Sequence, residues 1–242
     1  MNRNSRGFVN PFIVMDIMAK AKKAEEEGKD VIHMEVGQPA SSPPKKALDL
    51  LANTITSTNL GYTQALGISS LKNSLSLMYK KNYDVDINSE RFIITSGSSA
   101  AFILAFSSLF EAEEKILIGE PGYPSYKNIV KSLSLKSEIV QTKISNDFQL
   151  SVEDIKNANV SGLILASPCN PTGSILNFEK FKKLLKTAKE KKIKVISDEI
   201  YHGWSYEKKL HSAIELTDDV YVIGSFSKFF SMTGWRVGWM IV

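Results

Sequence analysis

Cysteine is almost missing from this sequence. Cys169 is the only one in 242 residues, so no internal disulfide can form. With three histidines in all and no Cys/His cluster, nothing supports a structural zinc site. A reducing cytoplasm suits such a chain. Long apolar runs are missing too. Residues 12–21 are mainly apolar, but Asp16 and Lys20 interrupt them and no small-residue cleavage site follows. The stretch is therefore neither a signal peptide nor a membrane span. Nor does one sign of charge dominate: 30 basic residues face 26 acidic ones, for a net charge of +4. The lysines are spread along helical stretches such as 180–194 and read as solvated helix faces, not a nucleic-acid patch. Neither GxGxxG nor GxxxxGK[ST] occurs, which removes the dinucleotide and P-loop types of phosphate turn. There is no internal repeat or low-complexity segment.

What is present, 43% hydrophobic and 23% charged residues, is the balance of a soluble globular protein with a real core. Asn10-Pro11 predicts a helix cap followed by proline at the first helical position. Phe12, Ile13, Met15, Ile17 and Met18 then give an N-terminal arm helix running toward Gly28. Residues 31–35 read as a short strand, and Gly37-Gln38-Pro39 with Ser41-Ser42-Pro43-Pro44 as a loop entering a helix near Lys45. Beyond it, β-rich runs at 91–95, 115–119, 162–166, 194–197 and 220–225 alternate with helical stretches at 100–110, 126–133 and 178–190. That alternation predicts an α/β fold, a mostly parallel sheet covered by helices, with ligands beyond the carboxyl ends of the strands. Residues 235–242 read as another strand. The chain stops there without a capping helix, which suggests a truncated chain.

The turns after these strands hold the chemistry. Lys228 alone reads as a surface lysine. Its setting, Ser225-Phe226-Ser227-Lys228-Phe229-Phe230-Ser231-Met232-Thr233-Gly234-Trp235-Arg236, instead surrounds one amine with aromatic and hydroxyl residues after a buried-type strand. A desolvated lysine near another cation has a lowered pKa and becomes a usable nucleophile. Arg236 and Ser225 can meet one anion while the Lys228 amine meets a carbonyl on the same ligand, although Arg236 alone reads as half of a structural ion pair. Thr95-Ser96-Gly97-Ser98-Ser99 joins a strand to a helix and leaves backbone N–H groups for a phosphate, or simply caps the helix. Asp198, in Ser197-Asp198-Glu199-Ile200-Tyr201, ends a strand as a metal ligand, a helix cap or the partner of a pyridinium nitrogen. No acid or histidine at ligand spacing supports the metal, and Tyr201 can offer a phenol to the same ligand. His202 reads as a supporting or surface residue, and Cys169 as a small packed thiol. Ser167-Pro168-Cys169-Asn170-Pro171-Thr172-Gly173 is a proline-locked turn that aims the Asn170 amide in one direction.

Taken together, these residues resemble the fold-type-I pyridoxal-phosphate (PLP) enzymes, and within them the class I/II aminotransferases related to aspartate aminotransferase. The resemblance spans nearly the whole chain. Its most specific piece is Ser-x-Ser-Lys-x-x-x-Met-x-Gly-x-Arg from Ser225 to Arg236, with Asn170-Pro171-x-Gly173 and Asp198-x-x-Tyr201 in the family's order. It implies a three-layer α/β/α large domain over residues 41–242, incomplete at its end. An N-terminal arm and part of a small domain would occupy residues 1–40. The C-terminal small domain, with the arginine that grips the substrate carboxylate, would be absent, so the chain as given would turn over poorly. It implies Lys228 as the Schiff-base lysine of a ping-pong aldimine/ketimine mechanism between an amino acid and a 2-oxo acid. Asp198 would hold the ring nitrogen protonated, Asn170 and Tyr201 would contact the ring oxygen, and Tyr123 would stack on the ring. Arg236, Ser225, Ser227 and the amides of Ser98 and Ser99 would bind phosphate. Gly37 and Asn170 would lie beside the substrate, and Tyr62 would reach the phosphate of the neighbouring subunit in a homodimer. The same scaffold supports β-lyases, decarboxylases, racemases and synthases. A PLP-binding transcription regulator would need a helix-turn-helix region ahead of the arm, and a non-catalytic dimerising module would not need the intact Lys228, Asp198 and Arg236.

Overall fold

The computed structural model describes residues 5–9, 11–58, 61–206 and 208–242. The predicted cap Asn10 lies outside them, and Pro11 is not the first helical residue, because the first helix begins at Ile13 with Phe12 in the N-cap position. Chain order is α1 (Ile13–Glu26), α2 (Lys45–Ser57), α3 (Ser69–Tyr83), β1 (Phe92–Thr95), α4 (Gly97–Leu109), β2 (Lys115–Glu120), α5 (Ser125–Ser132), β3 (Lys136–Gln141), α6 (Val152–Asn157), β4 (Gly162–Ala166), α7 (Phe178–Glu190), β5 (Lys194–Asp198), β6 (Tyr221–Ser225) and β7 (Gly238–Ile241). The seven strands form one sheet in the order β1-β7-β6-β5-β4-β2-β3. Strands β3, β2, β4, β5 and β6 pair in parallel, and β7 runs antiparallel between β6 and β1. The carboxyl ends of β1, β2, β4, β5 and β6 therefore share one edge of the sheet, where the predicted turns emerge.

Side chains alternate across a strand, and the core divides accordingly. Ile116, Ile118, Ile164, Ile196, Ile223 and Met240 face α4 and α5, packing on Phe102, Phe106, Tyr126 and Val130. Leu117, Leu163, Leu165, Val195, Val222 and Trp239 face the other way onto Leu75 and Tyr79 of α3, Ile155 of α6 and Phe181 and Leu184 of α7. The result is the expected α/β arrangement with helices on both faces of the sheet. One contact is tight enough to predict its failure. A Cβ on Gly224 of β6 would overlap the Trp239 indole on the neighbouring strand. Gly224→Ala should cost about 1–3 kcal/mol of stability through overpacking, read as an earlier urea midpoint with unchanged slope.

The structure departs from expectation in four further places. Residues 31–35 are not a strand: Ile32 and Met34 are exposed, and no neighbouring strand pairs with them. Residues 235–242 do not form one extended run. Thr233–Trp235 is a 3-10 turn and Arg236 takes a left-handed φ of 55°, which reverses the chain before β7 begins at Gly238. The edge strand β3, Lys-Ser-Glu-Ile-Val-Gln, is too polar to read as a strand, because lysine and glutamate face solvent at the sheet's margin. Helix α3 escapes the sequence pattern because its apolar residues are few and a lysine, Lys72, is buried among them against Glu90 at 2.9 Å. No helix among the described residues is long and apolar enough to cross a membrane.

Candidate active site

Helix α4 begins immediately after β1, and its N-cap Ser96 makes no side-chain capping bond. The first amides of that thirteen-residue helix are left to whatever occupies the space in front of them. Gly97 permits the approach: its φ is +74°, and a Cβ there would overlap the guanidinium of Arg236. The guanidinium thus lies against the start of α4, anchored by Nη1 donating to the Thr233 carbonyl at 2.9 Å. Ser98, Ser99, Ser227 and Arg236 together line one end of a cavity of about 450 Å³. Positive dipole, guanidinium and hydroxyl converge there as in an anion site.

Lys228 stands in the same cavity, the one lysine among its lining residues. Its Nζ donates to the Gly37 carbonyl at 2.7 Å and lies 5.7 Å from the centroid of the Tyr201 ring. Burial lowers its pKa below the usual lysine range, with Asp198 pulling the other way. Asn170 Nδ2 donates to the Tyr201 hydroxyl at 3.2 Å, which joins the turn after β4 to the turn after β5. Burial raises Tyr201 to about 12, so the phenol keeps its proton as a donor. Tyr123 also lines the cavity, edge-on to Phe12 at 6.3 Å and to Tyr126 at 5.3 Å.

Asp198 does not line the cavity, but its charge acts on Lys228. It ends β5, is buried, accepts from Ile200 N at 3.2 Å and from the Tyr126 hydroxyl, and burial raises its pKa to about 6. Tyr126 is the site residue that sequence reasoning missed. Tyr126 lies in the opening turn of α5, three residues after Tyr123, and the two rings meet edge-on at 5.3 Å.

Besides Asp198, two predicted residues stand apart from the cavity lining. Ser225 is buried behind the cavity, its hydroxyl donating to Ser227 Oγ at 2.8 Å and accepting from Ser227 N at 3.0 Å, so it holds Ser227 rather than lining the space. Tyr62 is fully exposed and does not line the cavity. Cys169 is buried, and burial pushes its thiol up. Among the described residues, no group of three or more His, Cys, Asp or Glu is placed to hold a metal ion.

The chain is 31% identical over 241 residues to the valine–pyruvate aminotransferase of Mycobacterium tuberculosis, covering 98% of this chain and 62% of the relative. It is 37% identical over 233 residues to the (5-formylfuran-3-yl)methyl phosphate transaminase of Methanocaldococcus jannaschii, covering 95% of this chain and 60% of the relative. The crystal structure of an aminotransferase from Mycobacterium tuberculosis superposes with a TM-score of 0.96 at 30% identity, over 100% of this chain and 64% of that one. This chain therefore spans about 60% of the length of the curated relatives it matches. With residues 29–242 matched by the model for aminotransferase class I and II, the protein belongs to that family.

Proposed function

We propose that this chain forms the cofactor-binding part of a PLP-dependent aminotransferase that exchanges an amino group between an amino acid and a 2-oxo acid. Class I and II aminotransferases are PLP enzymes. The observation that carries the reading for this chain is the convergence, in one cavity, of an uncapped helix N-terminus, Arg236, the partly desolvated Lys228 and the Asn170–Tyr201 pair, with the buried Asp198 close enough for its charge to act on Lys228. That donor set fits a flat anionic ligand with a carbonyl and a basic ring nitrogen.

Ser98, Ser99, Ser227 and Arg236 hold the phosphate, with Ser225 fixing Ser227. Tyr123 covers one face of the ring, and Asn170 and Tyr201 donate to its oxygen. Asp198, ionised beside a cation, keeps the proton on the ring nitrogen. The cofactor, when bound, supplies an electron sink for the charge left on the substrate's α-carbon. Lys228 is the residue that would hold the cofactor covalently, and its Nζ, once free, would serve as the base that takes the substrate's α-proton and gives it back. Burial depresses this amine, so a larger neutral fraction is available to take the proton. Gly37, whose carbonyl now holds Nζ, stands beside the substrate carboxylate. Residues 1–40 serve as arm and part of a small domain, and 41–242 as the large domain. A homodimer, with Tyr62 directed at the partner's site, is supported by the exposed Ile13, Ile17, Leu50 and Ile55 on α1 and α2, helices without a buried residue.

Gly97→Ala should push the Arg236 guanidinium out of the anion end and weaken PLP binding about tenfold or more, measured by titration with a folded-state control. The reaction is tested by following amino-group transfer from a labelled amino acid in the presence and absence of 2-oxo acid. Transfer that requires the oxo acid supports the proposal. Release of ammonia or carbon dioxide instead would point to a lyase or decarboxylase.

A further inference from the structure

A buried polar cluster behind Asp198 and Tyr201 takes no part in the chemistry above. His202 lies at its centre. Nε2 is 2.9 Å from the Ser167 carbonyl oxygen, and Nδ1 is 2.6 Å from the Tyr83 hydroxyl at the end of α3. A carbonyl oxygen only accepts, so Nε2 carries the hydrogen, and Nδ1 of the neutral ring accepts from Tyr83. Burial pushes the imidazole down to about 4, so it is neutral at physiological pH. Glu199 Oε2 lies 3.6 Å from Nδ1, but the Glu199 carboxylate is already taken by Ser212 Oγ at 2.6 Å, Ala213 N at 2.8 Å and Ser197 Oγ at 2.9 Å.

The two partners reached through His202 matter because of where they sit in the chain. Ser167 opens the turn that carries Asn170, and His202 directly follows Tyr201. Asn170 and Tyr201 are themselves joined across the cavity at 3.2 Å. Ser167 also donates its N–H to the Asp198 carbonyl at 3.2 Å, so its carbonyl is the only backbone end left for a side chain to secure. A closed circuit results, running Ser167, Asn170, Tyr201, His202 and back to Ser167.

We propose that His202 is a positioning residue, a neutral imidazole that bolts the Asn170 turn to the Tyr201 turn and so aims both donors at the cofactor's ring oxygen, with the Ser167 carbonyl fixing its tautomer and Tyr83 donating to the other ring nitrogen. The proposal rests on the PLP reading of the cavity. Donors aimed at the ring oxygen withdraw negative charge from it and lower the proton affinity of the nitrogen beside it. Loosening them raises the pH at which the visible band of the PLP-loaded chain changes.

The informative variants are His202→Gln and His202→Asn. A glutamine amide can donate to Ser167 and accept from Tyr83, whereas asparagine is one carbon too short to reach Ser167. Alanine is less useful, because a cavity of about 60 Å³ beside Tyr83, Glu199 and His202 lets water replace the ring. Each chain is loaded with PLP and its visible band titrated. His202→Asn should move the midpoint upward by about half a pH unit or more while His202→Gln stays near the wild type. If either variant fails to fold, Tyr83→Phe, which removes the anchor on Nδ1 and frees the ring to turn away from Ser167, should move the midpoint in the same direction. An unmoved midpoint in a folded His202→Asn or Tyr83→Phe chain, with only urea stability reduced, would reduce His202 to a packing residue and overturn the proposal. Absence of any visible band in the wild type would remove the PLP reading, and the latch with it.

Discussion

Lys228→Ala should abolish borohydride-stable capture of PLP and slow proton removal from a bound amino acid by about 10²–10⁴-fold, the usual contribution of a positioned general base. The expectation is large because no substitute is at hand: Lys228 is the one lysine among the residues lining the cavity. Its amine is also partly desolvated, and the Gly37 carbonyl 2.7 Å away fixes its direction without neutralising it. Rates are read from the change in visible absorbance after mixing with amino acid. A variant that keeps wild-type rates would place the base elsewhere and remove Lys228 from the chemistry.

Asp198→Asn should have two separable effects. In the PLP-loaded chain, the ring nitrogen loses its carboxylate partner, and proton removal should fall about 100-fold or more. In the cofactor-free chain the same change alters stability, with a sign fixed by burial. The folded pKa is raised to about 6 from an ordinary 3.8. Between those values the folded chain holds a proton that the unfolded chain has released, so stability falls as pH rises through that interval, by about 1.4 kcal/mol per unit per proton. Glu199, raised by burial to about 7 from 4.5, contributes in the same direction and extends the fall to higher pH. Asp198→Asn should therefore flatten the pH dependence of the urea midpoint between about pH 4 and 6, leaving the part due to Glu199. An unchanged profile would mean that Asp198 is already ionised in the folded chain, contrary to what its burial implies.

The parts of this molecule legible in the sequence are those where local chemistry and tertiary context agree. The runs at 162–166 and 178–190 coincide with β4 and α7, because an uninterrupted apolar strand and a strongly amphipathic helix leave little for context to decide. Likewise the residues of the Lys228, Asp198 and Asn170 turns can be named because each follows a strand whose end lies on the same edge of the sheet. What the sequence concealed depends on partners distant in the chain. Residues 31–35 look β-rich but find no neighbouring strand, and β3 looks polar but gains its ladder from β2. Tyr126 meets Asp198 across 72 residues, and Tyr83 meets His202 across 119, pairings that no local pattern announces. Ser225 misleads in the other direction: the motif suggests a phosphate ligand, while its hydroxyl turns inward to hold Ser227.

The most direct test of the account is to add PLP to the purified protein, reduce with borohydride and map the added mass by peptide. The account predicts a visible band before reduction and a single labelled site at Lys228. A folded protein with no band, or with label spread over surface lysines such as Lys182 and Lys186, would contradict it.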